Sequence, residues 1–261
     1  MGKETADRIQ TSFLNAAESR LTIWLAKRQP AWVTSDMLTY LGLVAAIFYA
    51  FFCWMANFDV NYYWWSSLAL VVNWYGDSLD GNLARVRQLQ RPKYGFFIDH
   101  SVDALTTCLF CMGLGLGPLM QLSISLFIMG GYLCLSIYTY LSTIILGQFK
   151  LTYAKMGPTE MRLLIIAVCI LFIYNPWSDV QVNMWGTDWS VYDFAGATVA
   201  ALLFIIYIVS MIKDLRELAK IDPAKPYRKK KLTDSGAPDK DREGQNIGPS
   251  CDETTDGEGQ G

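Results

Sequence analysis

A chain of 261 residues that is 52% hydrophobic and carries nine tryptophans, with its apolar residues gathered in long blocks, has the composition of a membrane protein rather than of a large soluble core. Its charges nearly cancel, at −2 overall, so net charge singles out no partner, and no nucleic acid is expected among them. Of six cysteines, five fall inside apolar blocks and read as packing residues; Cys108 and Cys111 share C-x-x-C spacing but lack the second pair or nearby histidine that a zinc site needs.

Taken in order, residues 1–36 lack the charged start, apolar centre and cleavage site of a secretory signal, and are expected to remain as a cytoplasmic juxtamembrane segment. Phe13, Ala16, Leu21, Trp24 and Leu25, interleaved with Arg20, Lys27 and Arg28, predict an amphipathic helix lying on the membrane surface. Pro30 ends it, and Thr34, Ser35 and Asp36 offer N-cap chemistry to the first membrane span. Six apolar stretches then predict an all-α, six-span membrane protein: 37–56, 62–82, 96–117, 120–147, 160–175 and 192–213. The second and third are poor spans by hydropathy, since each holds two aspartates.

The basic residues fix an orientation. Five Lys and Arg precede residue 37, four lie between 85 and 93, three between 150 and 162, and ten from 213 onward, while the connections at 57–61, 115–118 and 175–192 hold none. By the positive-inside rule the number of spans is even and both termini are cytoplasmic. Residues 214–261 turn from basic to rich in Gly, Asp, Glu, Ser and Pro, and are expected to be disordered. Arg228 to Lys231 would either touch anionic headgroups or serve only topology. Two further stretches have open readings. Glu160 and Arg162 could contact an acceptor or a phosphate; alternatively, Thr159 caps the fifth span, Glu160 favours its first turn and Arg162 marks the membrane boundary. Tyr138 and Tyr140 suit either a quaternary ammonium or packing.

The four aspartates are the anomaly. Asp77 and Asp80 are three residues apart and Asp99 and Asp103 four apart, so each pair projects from one helix face, and two helices meeting there would bring four carboxylates together. Ionised carboxylates in or near a bilayer cost several kcal/mol unless compensated. Divalent cations with a preference for oxygen, Mg2+ or Mn2+, are the natural compensation, and a pair of them suits a pyrophosphate. Gly81, Ala84 and Gly95 remove bulk where a nucleotide would approach, and Arg85 offers a fork of donors to phosphate oxygens. Small residues also occur wherever membrane helices pack closely, and arginine at a cytoplasmic helix end follows from topology alone. Neither accounts for four embedded aspartates.

These residues spell D-x-x-D-G-x-x-A-R, a spacer, then G-x-x-x-D-x-x-x-D, through Asp77, Asp80, Gly81, Ala84, Arg85, Gly95, Asp99 and Asp103. The stretch resembles the signature of the CDP-alcohol phosphatidyltransferase family at every fixed position, with a spacer one residue longer than usual. The resemblance covers residues 30 to 213. It implies a six-helix membrane domain, taken as 37–213, that releases CMP while passing a substituted phosphate from a CDP-linked donor to a lipid or small-alcohol acceptor among membrane lipids. It further implies that Asp77, Asp80 and Asp99 hold two ions of Mg2+ or Mn2+, that Asp103 deprotonates the acceptor hydroxyl while also able to touch metal, and that Gly81, Ala84, Arg85 and Gly95 line the donor site. His100, the sole histidine, reproduces the D-H-x-x-D form of choline and ethanolamine phosphotransferases and competes for the role of base. That pattern favours a soluble CDP-alcohol as donor, whereas a six-span chain favours CDP-diacylglycerol. The family's habit implies a homodimer, and the compact chain a bacterial inner membrane.

A divalent-cation transporter using the aspartates as its transport site is the rival class. It would need polar groups along a continuous path, yet the outer halves of the predicted spans are almost purely apolar.

Overall fold

The structure is a computed structural model that describes residues 15–146, 158–175, 181–184 and 186–223. The chain divides into two units, Met1–Ile221 and Asp222–Gly261, and every described helix and strand lies in the first. The described residues are almost entirely helical: α1 (Asn15–Lys27), α2 (Ser35–Met55), α3 (Tyr62–Val86), α4 (Pro92–Leu116), α5 (Leu122–Leu146), α6 (Pro158–Tyr174) and α7 (Val191–Ile221). The expected disordered tail, with Arg228 to Lys231, and Phe13 of the expected amphipathic face lie outside the described residues.

Helix α2 starts where sequence chemistry places it, with the Thr34 hydroxyl accepting from the Met37 amide at 3.2 Å. It packs on α3 and α4; α4 packs on α5, α5 on α7, and α3 on both α6 and α1. At the α2–α3 crossing the two backbones approach closely. A Cβ at Gly76 would stand 2.5 Å from the Leu38 carbonyl oxygen and 2.7 Å from the Gly42 amide nitrogen, so only glycine allows the two backbones this approach. Asn73, one turn earlier, locks it by donating to the Gly42 carbonyl at 2.8 Å. Around the crossing are two apolar clusters, one built on Tyr49, Cys53, Tyr63, Leu70 and Leu114, the other on Ala26, Val33, Leu38, Leu79 and Leu83. The five described cysteines are free, in keeping with packing roles.

Four helices, α2, α4, α5 and α7, are long and apolar enough to cross a membrane. The other two expected spans, in α3 and α6, do not meet that measure among the described residues. Helix α3 carries Asn73, Asp77, Asp80, Asn82 and Arg85, and α6 has 17 residues, which at about 1.5 Å per residue is less than a hydrocarbon layer of about 30 Å. Helix α1 exposes Leu21 and Trp24, while Thr22 and Ala26 are buried and the helix rests on α3. A further departure is a short antiparallel hairpin in the 175–192 connection, β1 (Gln181–Met184) against β2 (Thr187–Ser190), with Gly186 at φ 78° in the turn. At its end Asp193 gathers three groups: it accepts from the Gln121 amide at 2.7 Å, and from the Ser190 amide and hydroxyl at 2.8 Å each.

Candidate active site

The α2–α3 crossing and the packing of α2 on α4 turn the polar ends of α3 and α4 toward one another. Between them opens a cavity of about 710 Å3, lined by Asp77, Asp80, Asp99 and Asp103 together, with α1, the start of α2, Thr143 of α5, the start of α6 and the α3–α4 connection completing its wall. That volume is in the range of small-molecule and cofactor sites.

The carboxylates are held differently. Asp77 Oδ2 accepts from Arg162 Nη2 at 2.7 Å. Asp80, 8% exposed, accepts from the Thr39 hydroxyl at 2.6 Å, and its carbonyl accepts from Ser35 at 2.8 Å, so α2 fixes both its side chain and its backbone. Asp99 Oδ2 lies 3.3 Å from His100 Nδ1. Asp103 lines the cavity and accepts no hydrogen bond from the described residues. Ligand atoms of Asp99, His100 and Asp103 come within 4.8 Å of one another, close enough to share a metal ion. Hard oxygen donors dominate the site, a set that fits Mg2+ or Mn2+ better than a thiophilic metal. The His100 ring is wedged between Phe96 and Tyr140, with centroids 4.1 and 4.7 Å away, and it is stacked on the tyrosine.

Gly81, Ala84, Arg85 and Gly95 all border the cavity. A Cβ at Gly95 would meet nothing within 4 Å, and one at Gly81 would meet only the Arg85 side chain, so neither glycine is required by packing within the chain. Their effect is to leave room in the cavity. Arg85 is exposed and spends one nitrogen on the Asn82 side-chain oxygen at 2.7 Å. In the long spacer, Arg91 reaches the cavity wall, pairs with both oxygens of Asp36 and is held above its ordinary pKa by that carboxylate, whereas Lys93 does not line the cavity.

Several contributors carry no motif. Asn73 orients Arg162 by accepting from its Nε at 2.8 Å; its place one helical turn before Asp77 is the signal that could have marked it. Thr39 and Glu18 had no such signal, because their partners lie 41 or more residues away. Glu18 Oε1 accepts from Trp74 Nε1 at 2.9 Å, the Ser78 hydroxyl at 3.0 Å and the Thr159 hydroxyl at 2.6 Å, tying α1 to α3 and α6 at the cavity. Thr159 therefore does not cap α6, which begins at Pro158; as the second residue of the helix it bonds to α1 instead. Tyr138 is not among the residues that line the cavity. It donates to Asp214 at 2.5 Å between α5 and α7, away from the cavity lining.

The sequence profile of the CDP-alcohol phosphatidyltransferases matches residues 32–212, which takes in every residue of the cavity wall except Glu18, Ser19 and Thr22 of α1. No curated protein matches the chain.

Proposed function

Because the chain belongs to the CDP-alcohol phosphatidyltransferase family, we propose that it transfers a substituted phosphate from a CDP-linked donor to an acceptor hydroxyl, with release of CMP, at the cavity between α3 and α4. The observation that carries this reading is the convergence of all four signature aspartates, with Gly81, Ala84, Arg85 and Gly95, on one cavity wall.

Asp77, Asp80, Asp99 and Asp103 would hold Mg2+ or Mn2+, with His100 near enough to join Asp99 and Asp103. Bound there, the ions would offset negative charge on the pyrophosphate oxygens. Arg85 complements them with donors to phosphate oxygens, and the space beside Gly81 and Gly95 admits the nucleotide. The acceptor oxygen attacks the phosphorus that bears the non-cytidine alcohol; the new P–O bond forms as the anhydride bond to CMP breaks. Asp103, with neither oxygen engaged by the described residues, takes the hydroxyl proton. His100 is less accessible to an acceptor hydroxyl in this geometry, since both its ring nitrogens are buried and its ring packs against Phe96 and Tyr140.

The reading extends to the whole chain as residues 1–36, a six-span membrane domain at 37–213 and a tail at 214–261. Both termini and the cavity are placed on the cytoplasmic side of a bacterial inner membrane, in a homodimer. The distribution of Lys and Arg supports the orientation, and the cavity's position among the basic connections supports a donor arriving from the cytosol. The test is purified protein with Mg2+ or Mn2+, radiolabelled CDP-diacylglycerol or CDP-choline and a panel of acceptors, following CMP. Metal-dependent CMP release is expected with one donor class, and turnover that survives chelation would sink the proposal.

A further inference from the structure

Arg162 is the fifth residue of α6, is 6% exposed, and lies on the wall of the main cavity. Two of its three nitrogens are committed: Nε to Asn73 Oδ1 at 2.8 Å and Nη2 to Asp77 Oδ2 at 2.7 Å. The third, Nη1, is buried and has no hydrogen-bond partner among the described residues. A buried guanidinium edge without an acceptor is costly, and native structures rarely leave one unmatched. No described residue accepts from Nη1, and neutralising Asp77 alone would need only a lysine. What a lysine could not do is hold one edge on Asn73 and Asp77 while keeping a further donor, uncommitted among the described residues, on a side chain that lines the cavity.

The geometry points to Arg162 as a substrate-contacting residue whose Nη1 donates to a phosphate oxygen of the bound substrate, with Asn73 as the positioning residue that aims it. The inference rests on the transferase reading and deepens it. Nε and Nη2 are fixed before substrate arrives, so the fork is pre-organised and little side-chain freedom remains to be lost on binding. The contact also links two parts of the site, since the guanidinium that meets the phosphate is the one that orients Asp77. Either the pyrophosphate of the donor or a phosphate on the acceptor could supply the oxygen.

The test uses full-length protein in nanodiscs containing Mn2+, with equilibrium binding of radiolabelled CDP and, separately, of glycerol 3-phosphate to the CDP-loaded protein. Mn2+ titration by electron paramagnetic resonance is followed in parallel without nucleotide. Arg162→Lys is expected to keep the Mn2+ stoichiometry of the wild type while weakening the phosphate ligand about 10- to 100-fold, the usual worth of a charge-assisted hydrogen bond. Weakened CDP binding assigns the oxygen to the donor. Unchanged CDP binding with loss of glycerol 3-phosphate assigns it to a phosphorylated acceptor. If Arg162→Lys binds both as the wild type does, the inference is overturned. Should that variant not fold, Asn73→Ala leaves the guanidinium in place but frees Nε; a several-fold loss of the same ligand is expected, and no loss overturns the inference equally. A wild-type protein that binds Mn2+ but no CDP would instead refute the transferase reading itself.

Discussion

At the scale of single residues, four carboxylates of the same type are set apart by what already touches them. Asp80 is bound to Thr39 and Asp77 to Arg162, whereas Asp103 keeps both oxygens unengaged by the described residues. A proton acceptor needs a free lone pair, so Asp103→Asn should lower CMP release by about 10^2 to 10^4, measured at saturating Mn2+. His100→Ala should cost less and leave the shape of the pH–rate profile unaltered; the reverse ranking in a side-by-side pH series would move the base to the histidine. Asp99→Asn should weaken Mn2+ binding at least about 10- to 100-fold, the loss seen even when a ligand's outer-shell partner is removed, as measured by electron paramagnetic resonance. The D-x-x-D and D-x-x-x-D spacings were sufficient to foresee that these groups share a cavity, because helical periodicity converts spacing directly into a face. Their inequality was not legible, since it depends on Thr39 and Arg162, which reach them from other helices.

At the scale of elements, the site depends on how closely α2 and α3 approach. Gly76→Val should force the backbones apart and lower stability by about 1–3 kcal/mol, read as a lower melting temperature with a parallel loss of donor binding. Helix α1 has a different part. It lies outside the family match, yet Glu18 clasps Trp74, Ser78 and Thr159, two of which belong to the cavity wall. Glu18→Ala should raise KM more than it lowers kcat, and Glu18→Gln, which keeps an accepting oxygen, should recover much of the difference; an unchanged KM in the alanine variant would make α1 a bystander. Hydrophobic blocks disclosed the positions of the helices well, and Thr34 disclosed the start of α2. The hairpin at Gln181–Ser190 was not disclosed, because four-residue strands beside a long apolar helix leave no periodic trace. Nor was the end of α7 at Ile221, which continues past the apolar block on charged helix formers.

At the scale of the whole molecule, the expected reaction has a simple global signature. Chelation should abolish CMP release and added Mg2+ or Mn2+ restore it, while liposomes containing the protein should take up no divalent cation beyond empty controls. Uptake without CMP chemistry would favour the transporter. The two ends of the helical body also use acidic residues for opposite purposes. Near the hairpin, Asp193 is saturated: amides of Gln121 and Ser190 and the Ser190 hydroxyl occupy its oxygens, so it joins the starts of two helices and has little left to offer an ion. In the cavity, Asp103 accepts no hydrogen bond from the described residues. The same side chain thus serves as mortar at one end and as a tool at the other. A reader of related sequences could tell the two apart by asking which acids have amide or hydroxyl donors within reach, and expect substitutions at Asp193 to be judged by folding yield and those at Asp103 by turnover.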